Sequence, residues 1–87
     1  MLNILFTPNA WEDIQELEKE DKKLYQKAKK MITESARDPL NRSGKAEKLK
    51  GKNFEGCYSK RIDKKHRIIY KFNEGELIIL ACFGHYD

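Results

Sequence analysis

Apolar positions recur at helical spacing in the first half of the chain and at strand spacing in the second. Residues 2 to 6 (LNILF) read as a strand, and Thr7 followed by Pro8 reads as an N-cap with proline at the first helical position. Ala10, Trp11, Ile14 and Leu17 then fall on one helical stripe, expected to be core, and Glu12 and Asp13 lie near the positive end of the helix dipole. Asp21 is suited to cap a second helix. Its buried face is Leu24, Ala28, Met31 and Ile32, its lysines at 22, 23, 27, 29 and 30 point largely to solvent, and Pro39 ends it. The short break at Glu20 and Asp21 makes the pair an antiparallel hairpin lying across one face of a sheet.

From Leu40 to Asn53 the chain is polar and lysine-rich, with Ala46 to Lys50 a short strand or turn that buries Leu49. Beyond Gly56 the period becomes two. Strands are expected at Cys57 to Ile62, His66 to Phe72 and Leu77 to Phe83, joined by turns at Asp63 to Lys65 and Asn73 to Glu76, which makes an antiparallel meander. In the middle strand, alternation puts Ile68, Tyr70 and Phe72 on one face and Arg67, Ile69 and Lys71 on the other, so Arg67 faces away from the helices. The run LIILACF is apolar at every position, as expected of an inner strand covered on both faces.

With 87 residues, 39% of them apolar and 37% charged, the chain is read as one domain, residues 1–87, with a thin stability margin and a highly charged surface. The net charge of +4 is unevenly placed: residues 1–39 carry 7 Lys/Arg against 8 Asp/Glu, and residues 40–87 carry 11 against 6. A polyanion-binding surface is therefore expected from the second half. Cys57 and Cys82 form no Cys-x-x-Cys pair and have no histidine cluster beside them, which points to buried free thiols rather than a zinc site or a disulfide. Met1 to Phe6 is too short for a signal peptide and no apolar run approaches a membrane span, so a cytoplasmic location without membrane contact is expected.

Strand alternation also lets Ser59 and Arg61 share a face with Arg67, giving a basic sheet surface. The loop ahead of it supplies Lys45, Lys48, Lys50 and Lys52 around one carboxylate, Glu47, and the chain's end supplies His85 and Tyr86. Cleaving RNA requires a base for the 2′-hydroxyl, a cation for the charge on the phosphoryl oxygens and an acid for the leaving 5′-oxygen. Glu47, Arg67 and His85 are of those types, Tyr86 suits stacking on a base, and no metal or other cofactor is called for. Taken singly, each has an ordinary reading: a solvated charge for Glu47, a structural strand residue for Arg67, an exposed terminal side chain for His85, packing for Tyr86. His66 is read as structural or surface, and Trp11 and Phe72 as core.

The order GKAEKLKG, YSKRI, HRIIY and ACFGHY, with the early Trp11 and the turn at Arg37 to Pro39, resembles the YoeB branch of the RelE-like toxins over nearly the whole chain. The resemblance implies an α+β domain, two N-terminal helices packed on a mostly antiparallel twisted sheet, that cleaves messenger RNA in the ribosomal A site without a metal. It implies Glu47 as general base, Arg67 as transition-state stabiliser, His85 as general acid, Tyr86 orienting the RNA, and Lys50 and Arg61 as phosphate contacts; Lys45, from the lysine-rich loop, is expected to bind RNA beside them. Products would be a 2′,3′-cyclic phosphate and a 5′-hydroxyl. It further implies a YefM-like antitoxin whose segment folds over the site, operator DNA bound indirectly through that antitoxin, and a homodimer. Two departures from the pattern are Lys48, where the family often has proline, and Asp87 beyond the His–Tyr pair. Set against this are a non-catalytic, ParE-like gyrase poison, which lacks the catalytic set, and a plain RNA-binding module.

Overall fold

The computed structural model describes residues 1–40 and 46–83, which form two helices packed on one face of a five-stranded mixed sheet. The elements in chain order are β1 (Asn3–Phe6), α1 (Pro8–Glu20), α2 (Lys22–Arg37), β2 (Glu47–Lys48), a single 3₁₀ turn (Lys52–Phe54), β3 (Tyr58–Arg61), β4 (Arg67–Phe72) and β5 (Glu76–Ala81). The sheet order is β1-β5-β4-β3-β2. The expected meander is β3-β4-β5, β2 joins it antiparallel, and β1 adds a parallel edge beside β5.

Local chemistry explains the helix boundaries. The Thr7 hydroxyl accepts from the Ala10 N–H at 3.2 Å, and Pro8 follows where its missing N–H costs nothing. Asp21 serves both helices: its backbone N–H donates to the Leu17 carbonyl at the end of α1, and its carboxylate accepts from Lys23 and Leu24 N–H at 3.1 and 3.2 Å. One residue thus satisfies orphan groups on two sides of the break.

Ala10, Ile14 and Leu17 of α1 and Ala28, Ile32 and Ala36 of α2 are buried against Ile62, Ile68, Tyr70, Leu77, Ile79 and Cys82. Full burial of each larger aliphatic side chain contributes about 1.5–3 kcal/mol. Trp11 departs from the expected core: it is 56% exposed, resting edge-on against Phe6 at a centroid distance of 5.7 Å. With Ala10, Ile14 and Leu17 filling the sheet-facing stripe, the next position lies about 100° round the helix, beyond the contact. Phe72 packs at the core's margin.

A second, smaller cluster lies on the opposite face, where Leu49, Phe54 and Leu80 pack on Cys57, Ile69 and Ala81. Strand β5 is therefore less covered than its apolar run suggests: Leu77 and Ile79 are buried under the helices, whereas Ile78 and Leu80 are half-buried on the other side. Both cysteines are free and buried. His66 is buried and stacks on Phe83 at 4.8 Å, a structural placement. Among the described residues no helix is long and apolar enough to cross a membrane.

Candidate active site

Strand register brings three of the predicted residues, Glu47, Arg61 and Arg67, together on the face away from the helices. Glu47 of β2 is paired with Ser59 of β3, Ser59 with Ile69 of β4, and Arg61 with Arg67. Because side chains alternate along a strand, Ser59, Arg61, Arg67 and Glu47 share one face, while Lys60 and Ile68 go to the other. Ile68 enters the helix-side core, and the Lys60 ammonium reaches the Ser35 hydroxyl at 2.7 Å.

At the centre stands Arg67. Its Nη1 donates to Ser59 Oγ at 3.3 Å and lies 3.9 Å from Glu47 Oε2. Ser59 is fully buried, so its hydroxyl fixes the guanidinium from below. The contact with Glu47 is long, and the Glu47 side chain is 69% exposed against 27% for Arg67. An ion pair of that length and exposure contributes at most about 1 kcal/mol, which leaves the carboxylate free to meet a ligand.

Arg61, directly opposite Arg67, is exposed. Like charges opposed on one sheet face are unfavourable by roughly 0.2–1 kcal/mol. An anion with two or more oxygens, such as a phosphate, would relieve the repulsion if it were bound between the two guanidinium groups. Lys50 stands exposed three residues after Glu47, on an open cavity of about 510 Å³ that Lys48, Lys52 and Glu55 also line. That cavity adjoins the Glu47 strand and adds positive charge to its flank. Lys45, His85 and Tyr86 lie outside the described residues.

Sequence reasoning missed the residue between Ser59 and Arg61. Lys60 is 2% exposed, with its ammonium 5.6 Å from the centre of the Tyr70 ring. Burial lowers its pKa, and the Glu34 and Asp38 carboxylates partly oppose this. The signal was available in the alternation: if Ser59 and Arg61 face the site, Lys60 must face α2. The Tyr70 hydroxyl donates to the Pro39 carbonyl, and burial, with Tyr58 and Asp38 nearby, pushes its pKa up to about 12. Burial and the neighbouring Asp13 likewise push the Cys82 thiol up to about 12, so it is no nucleophile.

The sequence profile of the family described as "YoeB-like toxin of bacterial type II toxin-antitoxin system" matches residues 6–86. Toxin YoeB of Streptomyces coelicolor is 38% identical over 85 residues, covering 98% of this chain and 100% of the relative. Among solved structures, the YoeB dimer from Staphylococcus aureus matches at 37% identity with a TM-score of 0.85 and covers 98% of both chains. The toxin chain of the heterotetrameric YoeB-YefM toxin-antitoxin complex from Staphylococcus aureus matches at 38% identity with a TM-score of 0.84, over 99% of both chains.

Proposed function

Because the chain belongs to the YoeB-like toxins of bacterial type II toxin-antitoxin systems, we propose that it is an endoribonuclease that cuts messenger RNA in the ribosomal A site and so halts translation. The observation that carries this reading is the constellation on the open face of β2-β3-β4: an exposed carboxylate, Glu47, beside a guanidinium fixed by Ser59, with a second guanidinium directly opposite.

Glu47 takes the proton of the ribose 2′-hydroxyl. The 2′-oxygen attacks the adjacent phosphorus, and Arg67, with Arg61 beside it, stabilises the charge that grows on the non-bridging oxygens. The bond from phosphorus to the 5′-oxygen breaks and His85 protonates that oxygen, leaving a 2′,3′-cyclic phosphate and a 5′-hydroxyl. Tyr86 stacks on a base, and Lys45 and Lys50 hold flanking phosphates. Base, cation and acid all come from side chains in this scheme.

The partners follow from the same reading. A YefM-like antitoxin lays an acidic, folding segment across the basic face and blocks it, as suits a relative solved with YefM. Operator DNA is met through the antitoxin, and a homodimer accords with the relative solved as a dimer. The site of action is the cytoplasm, where ribosomes translate.

Primer extension on a defined messenger RNA in a reconstituted translation reaction tests the proposal. Wild type should cut within translated codons, and Glu47→Ala, Arg67→Ala and His85→Ala should each lose about 10²–10⁴-fold in rate while still binding the ribosome. Uncut messenger RNA with the wild-type protein would overturn it.

A further inference from the structure

Residues 1–39 are nearly neutral in sum, but the fold divides them into two helices of opposite charge. Helix α1 carries five acidic residues and one lysine, whereas α2 carries five lysines and Arg37 against Glu34 alone. On α2, Lys22, Lys23, Lys30 and Arg37 fall within about 100° of arc, on the side opposite the buried Ala28, Ile32 and Ser35. All four are exposed, as is Gln26 between them. Lys27 and Lys29 flank this stripe and are engaged by their own fold, Lys27 donating to the Ile62 carbonyl at 2.5 Å and Lys29 standing 5.1 Å over the Tyr25 ring.

Little in the fold offsets this charge. Among the described residues none of the four cations of the stripe forms an ion pair, and Glu34 is half-buried within range of the buried Lys60. Lys22 and Lys23 occupy the first turn, where the helix dipole disfavours cations and where α2 has no acidic residue. Lys27 lies four residues after Lys23 and three before Lys30, spacings at which like charges weaken a helix. The stripe therefore costs the free protein stability, and an external polyanion would remove that cost.

We infer that the outer face of α2 is a second polyanion-binding surface, which docks on the phosphate backbone of folded ribosomal RNA while the sheet face takes the messenger. The inference rests on the ribosome-dependent reading above and gives it an attachment separate from the cut site. Glu47, Arg61 and Arg67 lie on the sheet face away from the helices, so a strand held there leaves the stripe open. The chemistry of the stripe favours RNA over a protein segment. Between its cations stand Gln26 and the half-buried Thr33, with no exposed large apolar side chain on α2, whereas a segment that folds on docking needs apolar anchors. From Lys22 to Arg37 the stripe runs about 22 Å, the shape of a row of phosphates and not of one small anion. The acidic α1 alongside repels phosphates and confines the RNA to the outer side of α2.

Binding of the full chain to purified bacterial ribosomes without messenger, measured across a salt series, tests the inference. The double variant Lys23→Gln/Lys30→Gln should bind about 10-fold or more weakly at about 100 mM salt, with the slope of log affinity against log salt smaller by about 2. Its single-turnover cleavage at saturating toxin should stay within about twofold of wild type, because neither lysine is at the cut site. Lys23→Arg/Lys30→Arg should bind like wild type. Lys64→Gln/Lys65→Gln, which removes the same charge from the exposed turn between β3 and β4, should lose no more than about threefold.

Unchanged affinity and slope in Lys23→Gln/Lys30→Gln, or an equal loss in the turn variant, would overturn the inference. Should the double variant not fold, Lys30→Gln alone is expected to lower the slope by about 1, and an unchanged slope there overturns it as well. Failure of the nuclease reading looks different: wild type would bind ribosomes through the stripe yet leave messenger uncut, and the docking surface would stand. A wild-type protein that does not bind ribosomes at all would remove the docking surface too.

Discussion

Arg61 and Arg67 face each other in register across β3 and β4, two guanidinium-bearing residues on the same face of the sheet. Only Arg67 has Ser59 and Glu47 to steady it. In the free protein the pair is a cost, and under the proposed function it turns to advantage when a phosphate of the RNA lies between them. Arg61→Ala should therefore raise stability by about 0.5 kcal/mol while slowing cleavage about 10-fold or more. Thermal melts and cleavage assays on the same preparation check both signs. A variant that is less stable and equally active would show that Arg61 serves the fold and not the anion.

Beneath that face, Lys60 ties β3 to the last turn of α2 through Ser35, with Glu34 and Asp38 in range. A buried ammonium is costly, yet removing it without replacement leaves a void and an uncompensated acidic neighbourhood. Lys60→Ala is expected to cost about 2–4 kcal/mol, whereas Lys60→Met, which refills the space, should lie within about 1 kcal/mol of wild type. Urea unfolding of the two variants makes the comparison. Equal losses would mean that the charge itself, and not the packing of the stem, holds the strand.

Much of this was legible from residue order. Thr7-Pro8 and Asp21 mark the helix starts because capping is a local interaction between a side chain and backbone three residues away. Alternation placed Arg67 opposite the helices, and register, which depends on turn lengths, then delivered Ser59 and Arg61 to the same face. What escaped depends on tertiary geometry. The parallel edge strand β1 pairs with a segment more than 70 residues away, a partnership without local signature. The bulge at Leu80 and its grip by Asn9 and Asp13 exist only once α1 lies across the end of β5.

Trp11 shows the same limit at the level of one side chain, because helical periodicity gives a stripe but not its width. Its exposure makes the prediction unlike that for a core tryptophan. Trp11→Ala should cost about 1 kcal/mol, the scale of one edge-on aromatic contact with Phe6, where a buried tryptophan would cost about 3–5 kcal/mol. Chemical denaturation decides between them, and a loss in the larger range would place the indole in a buried interface in solution.

The turn that joins the two arginine strands has its own pH dependence. Asp63 Oδ1 accepts from the Lys65 and His66 backbone N–H groups at 2.8 and 2.6 Å. Burial works to raise the Asp63 pKa, but the N–H groups of His66 and Lys65, with the charges of His66 and Lys27, outweigh it and hold the carboxyl below its ordinary value. A depressed folded-state pKa gives stability that is fully present above the unfolded value of about 3.9 and is lost as pH falls through the folded one. Asp63→Asn keeps the turn's acceptor without the charge. The stability gap between wild type and this variant should thus be fully present at about pH 5 and close as pH falls below about 4, where the carboxyl takes up its proton and the protonated aspartate becomes equivalent to the amide. Melting curves across that range test it: a gap that persists at pH 2 would assign the difference to shape, whereas closure would assign it to the carboxylate charge that fixes the turn between Arg61 and Arg67.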